Sequence, residues 1–511
     1  MVPKAKSRAL SKKTANANHC KHEELTSGPS THALKAGYRH HTNSQVMIAA
    51  SGSRKRKAAD GAEVILEAFP STLGLPDDDI TFDPKYPTQS KHAWMKIPER
   101  NPLTTRRSVI YVAEPAKIDD SVRFMKDWSR PIIRGKAIPK SKSQEPIDME
   151  SLVAYLKAFY HGLEVRVLPV ALTFSAWEGE PTPNSGKTVP ADPSDIDKIR
   201  SVGLSTGDEL IRIRVRETPW RDESSAHNYF PYQYQLDLND MTDVALSLLP
   251  SDAYALLLTA EHDLYESIDD DFCCGRAWGA SRVAIVSSAR YHPVLDDLHG
   301  VDFAHVWPAS HCTEYVDGMS YVDIDESMLD VRTQNTIKKR VKTSDAINKS
   351  ADVLASPLER AVRAHQLTRS PTASDLRSAF LLRFCRTASH ELGHCFGLDH
   401  CMYRACAMQS TSSVAEDMRQ PPYLCPVCEA KVAWAVLTKT SHSQDSSKPA
   451  SKGRGKRKVD EVAPDWDEKE LRWKKDRLMA MKDFCEGHGS GFSGLAAWSA
   501  GILELMGGTI C

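Results

Sequence analysis

Two histidines and a glutamate near residue 390 have the spacing of a metal site that activates water. His390 and His394 are four residues apart, so on a helix they occupy one face, where both imidazoles can reach one Zn²⁺. Glu391 follows the first histidine, where its carboxylate could take a proton from a zinc-bound water without binding the metal. This short pattern also arises by chance in helices that bind nothing.

Gly397 and His400 make the pattern more specific. Glycine tolerates positive φ, so Gly397 can end the helix and turn the chain sharply. On a straight helix His400 would point about 120° away from the face that carries His394. A turn at Gly397 can instead bring His400 under the metal. We therefore expect His390, His394 and His400 to bind a catalytic zinc.

Four cysteines follow the histidines with the spacing of a second metal site. Cys401 and Cys406 form C-x4-C, and Cys425 and Cys428 form C-x2-C. Four thiolates from two short loops can close a tetrahedral zinc site with no open position, so this zinc would be structural. The alternative is that these are buried or redox cysteines. We assign no site to the remaining cysteines: Cys20, Cys273, Cys274, Cys312, Cys385, Cys395, Cys485 and Cys511.

The combined run H-E-x-x-H-x-x-G-x-x-H-C-x4-C-x-M, followed by C-x-x-C, resembles the archaemetzincins (archaelysins), a branch of the metzincin zinc peptidases. Weaker similarity extends over 150–300, and the specific part covers 375–435. The resemblance implies three histidine ligands on a catalytic zinc, Glu391 as general base and four cysteines on a second zinc. It also places Met408 at the family's Met-turn, an apolar floor beneath the catalytic site.

Hydrophobic periodicity predicts the elements that would position these residues. Helices are expected over 151–162, 238–249, 376–388 leading into the histidines, and 466–484; strands are expected over 163–170, 210–215, 254–258 and 282–287. This pattern favours an α+β fold. The resemblance makes it metzincin-like: a twisted mixed sheet, a long active-site helix and a zinc-stabilised C-terminal subdomain. We expect 280–288 to be the sheet strand that borders the substrate cleft.

Composition divides the 511 residues into several regions. The expected regions are a disordered basic N-terminal region over 1–85, a peptidase domain over 86–438 with an insertion at about 292–350, a basic polar linker over 439–463, and a C-terminal helix and tail over 464–511. Within the insertion, the adjacent His311 and Cys312 are interpreted as incidental. The insertion itself has no assigned function.

The formal net charge of −1 gives no overall attraction to nucleic acid or to anionic membranes. The basic clusters at 53–57 and 453–458 fit nuclear import signals and solvated linker charge equally well. No segment is long and apolar enough to span a bilayer, and no signal peptide leads the chain. We therefore expect an intracellular protein that is cytoplasmic, with nuclear access left open.

The leading hypothesis is a zinc metallopeptidase that hydrolyses peptide bonds in a peptide or protein substrate by a zinc-bound water, with two zinc ions per chain. The alternative is a catalytically silent, zinc-stabilised binding or scaffold protein. The presence of Glu391 argues against the alternative, because a purely structural site does not need that carboxylate. A zinc finger that contacts nucleic acid is disfavoured, since Arg419 is the one basic residue between Cys406 and Cys425. Oligomeric state and natural substrate are not predicted.

Overall fold

The computed structural model describes 20–52, 62–133, 136–139, 146–179, 200–218, 230–320, 355–366, 372–439 and 465–507. Its strands are β1 (Val109–Ala113), β2 (Lys117–Ile118), β3 (Ile132–Ile133), β4 (Lys136–Ala137), β5 (Glu164–Val167), β6 (Thr173–Ser175), β7 (Ser201–Ser205), β8 (Leu210–Glu217), β9 (Tyr234–Asp237), β10 (Ala253–Ala260), β11 (Leu264–Tyr265), β12 (Gly275–Trp278) and β13 (Val283–Ser287).

The α-helices are α1 (Thr31–Ala36), α2 (Asn43–Ser51), α3 (Ala62–Glu67), α4 (Asp79–Phe82), α5 (Lys91–Met95), α6 (Met149–Phe159), α7 (Leu238–Leu248), α8 (Asp296–His299), α9 (Thr313–Ser320), α10 (Pro357–Gln366), α11 (Ala373–Cys395), α12 (Val414–Arg419), α13 (Pro426–Leu437), α14 (Trp466–Gly487) and α15 (Ser493–Leu505). The helices and strands expected from periodicity are all present, with ends that differ by a few residues; α11 extends the expected helix through the histidines.

The main sheet has the strand order β12-β13-β10-β1-β5 within the described residues. Strands β13, β10, β1 and β5 are parallel, and β12 pairs antiparallel to β13 at one edge. A second sheet has the order β11-β9-β8-β7-β6-β2, and β3 pairs with β4. The expected combination of helices with a mixed sheet is therefore confirmed.

The two faces of the main sheet contribute to different hydrophobic cores. In β1, Ile110 and Val112 pack into the core that contains α6 and α11. Val109 and Tyr111, which alternate with them, pack into the core formed with α7 and the second sheet. Successive side chains of a strand point to opposite faces, so burial on both sides explains the almost wholly apolar sequence of β1. The sheet thereby forms a rigid base for α11.

The expected disorder of 1–85 is wrong for 20–52 and for 62–85, where the chain forms helices that pack on the remainder of the protein. Tyr38 donates a hydrogen bond to the Met402 carbonyl (3.1 Å), and Arg404 donates one to the Asn43 side chain (2.7 Å). Short helices of this kind are marginal alone, so tertiary contacts stabilise them and composition does not reveal them. Residues 1–19 and the basic cluster at 53–57 lie outside the described residues.

The insertion is structured in its first part. Between 292 and 320 the chain forms short helices, including α8 and α9. The remainder of the insertion to 350 and most of the linker, including the basic cluster at 453–458, lie outside the described residues. Among the described helices, none combines the length and the apolar character needed to cross a membrane.

Candidate metal centres and active site

Helix α11 carries His390, Glu391 and His394 on its last turns. A capping box between Thr372 and Asp375 stabilises its N-terminus, and its side chains facing the sheet are buried. The helix packs against β12 and β13. The spacing of four residues places the two imidazoles on one face, and their rings lie 4.8 Å apart between centroids. A buried helix on a sheet holds these side chains at fixed positions.

In His390 and His394, one ring nitrogen contacts a backbone carbonyl, and the second ring nitrogen faces the other histidine. His390 Nδ1 lies 2.7 Å from the Ala407 carbonyl oxygen, and His394 Nδ1 lies 2.8 Å from the Leu398 carbonyl oxygen. A carbonyl can only accept, so each Nδ1 carries the proton and each Nε2 has a bare lone pair. The two Nε2 atoms are 3.1 Å apart. Two lone pairs at that distance repel unless a cation lies between them, so this donor set fits zinc.

His400 completes the group because the chain turns at Gly397. Helix α11 ends at Cys395, and Gly397 has φ of 75°, as its position in the sequence predicts. The His400 ring then lies 5.0 Å from that of His394 and 5.5 Å from that of His390. One nitrogen from each of the three rings lies within 4.8 Å of the others. We call these three residues the histidine cluster; all three are partly exposed.

Desolvation by the surrounding protein keeps His390 and His394 in the neutral form that can bind a metal, although the side chains are partly exposed. Desolvation, followed by the neighbouring His400, lowers the pKa of His394 to about 4. Desolvation, followed by His394 and His400, lowers the pKa of His390 well below its ordinary value. Each imidazole therefore offers a lone pair at neutral pH, which is what metal binding requires.

Glu391 lies against the edge strand β12. A Cβ added to Gly275 would be 2.9 Å from Glu391 Cγ and 3.0 Å from its Oε1, so only a glycine allows this approach. The carboxylate is buried, and desolvation raises its pKa to about 8, against the attraction of Arg276. In the described part of the chain the carboxylate accepts no hydrogen bond, so it is available to a water molecule.

The edge strand beside the histidine cluster and Glu391 is β12. The expectation that 280–288 forms the strand bordering the cleft is therefore wrong. Strand β13, which contains most of that segment, is paired on both sides, with β10 and with β12. The sequence of β13 is apolar because the strand is interior. The antiparallel β12 is only partly buried, and its shorter, more polar sequence does not stand out as a strand.

The four cysteines converge as their spacing suggests. Their sulfur atoms lie within 4.8 Å of one another, and those of Cys401 and Cys425 are 3.5 Å apart. The backbone N–H of Cys425 donates to the Cys406 sulfur at 3.1 Å. We call Cys401, Cys406, Cys425 and Cys428 the cysteine cluster; all four are buried and none forms a disulfide.

The loop 401–408 contributes residues to the cysteine cluster and also contacts the helix that carries the histidines. The N–H of Cys401 donates to the Met408 carbonyl at 2.8 Å, which closes the loop. The Ala407 carbonyl lies against His390, as described above, and the Met408 sulfur lies where a Cβ on Gly393 would be only 2.4 Å away. Met408 therefore packs directly beneath the active helix, and residues of one short loop support both clusters.

Three residues far from the motif in sequence also hold the histidine cluster. Tyr86 donates to the Asp399 carboxylate at 2.8 Å, next to His400. Gln89 donates to the Gly397 carbonyl (3.1 Å) and accepts from the Asp399 N–H (3.2 Å), and the Trp94 indole donates to the Phe396 carbonyl (2.9 Å). Sequence reasoning missed them, because some 300 residues separate them from the loop and no local pattern marks them.

Comparison with known proteins finds the following similarities. The profile described as "Peptidase family M54" matches residues 346–433. Archaemetzincin-2 of Homo sapiens is 24% identical over 367 residues, covering 72% of this chain and 70% of the human protein. Archaemetzincin-2 of Mus musculus is 38% identical over 94 residues, 17% of this chain and 26% of that protein. A crystal structure of archaemetzincin from Methanopyrus kandleri aligns with 65% of this chain and 97% of its own, at 13% identity and a TM-score of 0.28.

Proposed function

We propose that this chain, which is similar to the archaemetzincin zinc metallopeptidases, hydrolyses peptide bonds at the histidine cluster, with Glu391 as general base. The observation that carries this proposal is the convergence of three neutral imidazoles on one point beside a buried carboxylate. The sequence comparisons support the class of reaction, and this geometry supports the assignment of individual residues. A structural site would not need Glu391.

The histidine cluster would hold Zn²⁺, which when bound acts as a Lewis acid and lowers the pKa of water. In its ionised form, which the positive charge of a bound zinc would favour, Glu391 takes a proton from the attacking water at a carboxylate oxygen. The same carboxyl then gives this proton to the nitrogen of the leaving amine, as the C–N bond breaks and the new C–O bond is complete. His390 and His394 keep their orientation through the Ala407 and Leu398 carbonyls, which is the usual role of such contacts around zinc ligands.

The edge strand β12 is proposed to align the substrate. It ends the main sheet, and within the described residues its outer edge has no strand partner. An extended peptide could pair with this edge through backbone hydrogen bonds. Gly275 lies on this strand beside Glu391, so a peptide bound there would pass the carboxylate. This arrangement is compatible with many side chains and leaves the sequence preference open.

The cysteine cluster is proposed to bind a second, structural zinc. Four buried sulfurs fill a tetrahedral site completely, leaving no position for a substrate. This zinc would stabilise a C-terminal subdomain built on the loop 401–408 and on α13, which begins directly after Cys425. We propose that the metzincin-like peptidase domain spans 86–438, with 20–52 and 62–85 packed against it.

The test is cleavage of a peptide library by the purified full chain and by Glu391→Gln. We expect Glu391→Gln to lower turnover by about 10²–10⁴-fold, the usual contribution of a general base, with unchanged zinc content. Glu266→Gln is the matched control, since this second carboxylate lies near Glu391 but pairs with Arg276 (3.1 Å) and is not part of the histidine cluster; the variant should retain most activity. Equal turnover in wild type and Glu391→Gln would refute the mechanism. Zinc binding with no turnover by the wild type would favour the scaffold alternative.

A further inference from the structure

A third group of metal-binding side chains lies in neither of the two clusters. It contains residues from two distant parts of the chain. Cys20 and His22 belong to the N-terminal segment 20–52, and His305 and Cys312 belong to the insertion. One ligand atom from each of Cys20, His22 and His305 lies within 4.8 Å of the others. The Cys312 sulfur lies 3.1 Å from His22 Nδ1, so it borders this group of three.

His305 is oriented as a zinc ligand usually is. Its Nδ1 lies 2.6 Å from the Asp302 carboxylate, and its ring stacks on Tyr315 at 4.1 Å between centroids. A carboxylate on the far nitrogen is the common support for a metal-bound histidine. The other nitrogen, Nε2, is buried and has no hydrogen-bond partner among the residues that the structure describes. A buried polar atom of this kind is costly unless something binds it.

The N-terminal segment is held beside the insertion by backbone hydrogen bonds. The Thr26 N–H donates to the His311 carbonyl (2.8 Å), and the Thr313 N–H donates to the Glu24 carbonyl (2.9 Å). The Lys21 N–H donates to the Glu314 carboxylate (3.0 Å). Through these bonds the N-terminal segment pairs antiparallel with the insertion. The pairing fixes the position of Cys20 and His22 relative to His305 and Cys312.

The backbone at His22 adds an independent observation. His22 has φ of 54°, in the left-handed region that residues other than glycine seldom adopt. Such a conformation costs of order 1 kcal/mol or more and persists where the surroundings demand it. Here it brings the His22 ring against His305, with centroids 4.9 Å apart.

We propose that Cys20, His22, His305 and Cys312 bind a zinc ion that fastens the N-terminal segment to the insertion. Two thiolates and two imidazoles form a common structural zinc set, with ligand atoms roughly 3.3–3.8 Å apart. Cys20, His22 and His305 already lie within 4.8 Å of one another, and the sulfur of Cys312, which contacts His22, would turn toward them to fill the fourth position. All four positions are filled by the protein, so this zinc has no position for a substrate. The proposal does not depend on the peptidase reaction.

The test is zinc content by elemental analysis of the full chain, in wild type, Cys20→Ser and His22→Ala. Both substituted residues are only partly buried, so their loss should leave the core folded. We expect each variant to bind one zinc fewer per chain than the wild type. His40→Ala, an exposed histidine of the same segment, and Cys485→Ser, a cysteine outside the three groups, should keep the wild-type content.

Two further measurements keep the result interpretable. Substitution of Co²⁺ for zinc should give thiolate-to-cobalt absorption that is weaker in Cys20→Ser than in wild type, and circular dichroism should show that each variant is folded. Equal zinc content in wild type, Cys20→Ser and His22→Ala would overturn the proposal. A disulfide between Cys20 and Cys312 in the purified protein, detected by thiol titration and peptide mapping, would also overturn it.

Discussion

The histidine cluster and the cysteine cluster are adjacent in sequence but differ in their surroundings. His400 and Cys401 are neighbours, yet the three histidines are partly exposed while all four cysteines are buried. A ligand set that must admit a substrate needs an open side, and a ligand set that only crosslinks loops does not. One peptide bond thus joins the cluster that we propose to be reactive to the cluster that we propose to be structural.

The two clusters also differ in how far each depends on the other for its position. His390 depends on the Ala407 carbonyl, which belongs to the loop that the cysteines hold. Within that loop the Cys406 sulfur accepts backbone N–H groups, from Met408 at 3.5 Å and from Cys425 at 3.1 Å. Damage to the cysteine cluster should therefore reach the histidines, whereas damage to the histidines should remain local. The predictions below test this asymmetry.

Cys425→Ser should have the largest effect. A structural zinc can supply on the order of 10 kcal/mol of folding free energy in small domains, and here its loss frees the loop 401–408. We expect loss of the zinc ions of both clusters, loss of turnover and a large fall in melting temperature. Cys485→Ser, a buried cysteine in α14, is the control and should keep both zincs. Full peptidase activity in Cys425→Ser would contradict the proposed dependence.

His394→Ala should abolish turnover and remove one zinc, with a stability loss of only about 0.5–3 kcal/mol, the usual range for a single substitution. The cysteine cluster makes no contact that requires His394, so its zinc should remain. Elemental analysis and thermal unfolding of the same samples measure both quantities. Loss of the zinc ions of both clusters in His394→Ala would show that the two clusters depend on each other equally.

Gly397→Ala should have an intermediate effect, because it tests only the turn that delivers His400. A residue with a Cβ pays roughly 1–2 kcal/mol at this positive φ, and the new Cβ would lie 3.1 Å from Arg100 Cγ. We expect about tenfold lower kcat/KM, which corresponds to about 1.4 kcal/mol. Gly207→Ala is the matched control, with φ of 94° and open space around it; it should lose stability but keep its activity.

Gln89→Ala should have the smallest effect. It removes two hydrogen bonds to the turn, each worth about 1 kcal/mol, and a third that the buried Lys431 ammonium donates to Gln89 at 2.7 Å. We expect a severalfold fall in kcat/KM and unchanged zinc content, since no ligand is altered. Gln45→Ala, which removes a surface hydrogen bond at the start of α2, should leave kcat/KM unchanged. A loss of zinc in Gln89→Ala would mean that the turn controls metal binding more strongly than we infer.

Local rules were sufficient for much of the fold and for the composition of the two clusters. The four-residue spacing in α11 places two imidazoles together whatever surrounds the helix, and only glycine makes the left-handed turn at Gly397 at low cost. Apolar runs identified β10 and β13 for the same reason, because strands buried on both faces have few polar residues.

The sequence by itself therefore determined which chemistry is available. It identified the histidines, cysteines and glutamate that can come together because they lie close in the chain. Only the tertiary structure decided that β12 is the edge beside Glu391, that Gln89 supports the turn, and that Cys20 lies beside His305. Short spacings fix geometry through a few dihedral angles, so they can be predicted from the residues alone. Contacts between distant segments depend on the packing of the whole chain, and no local pattern records them.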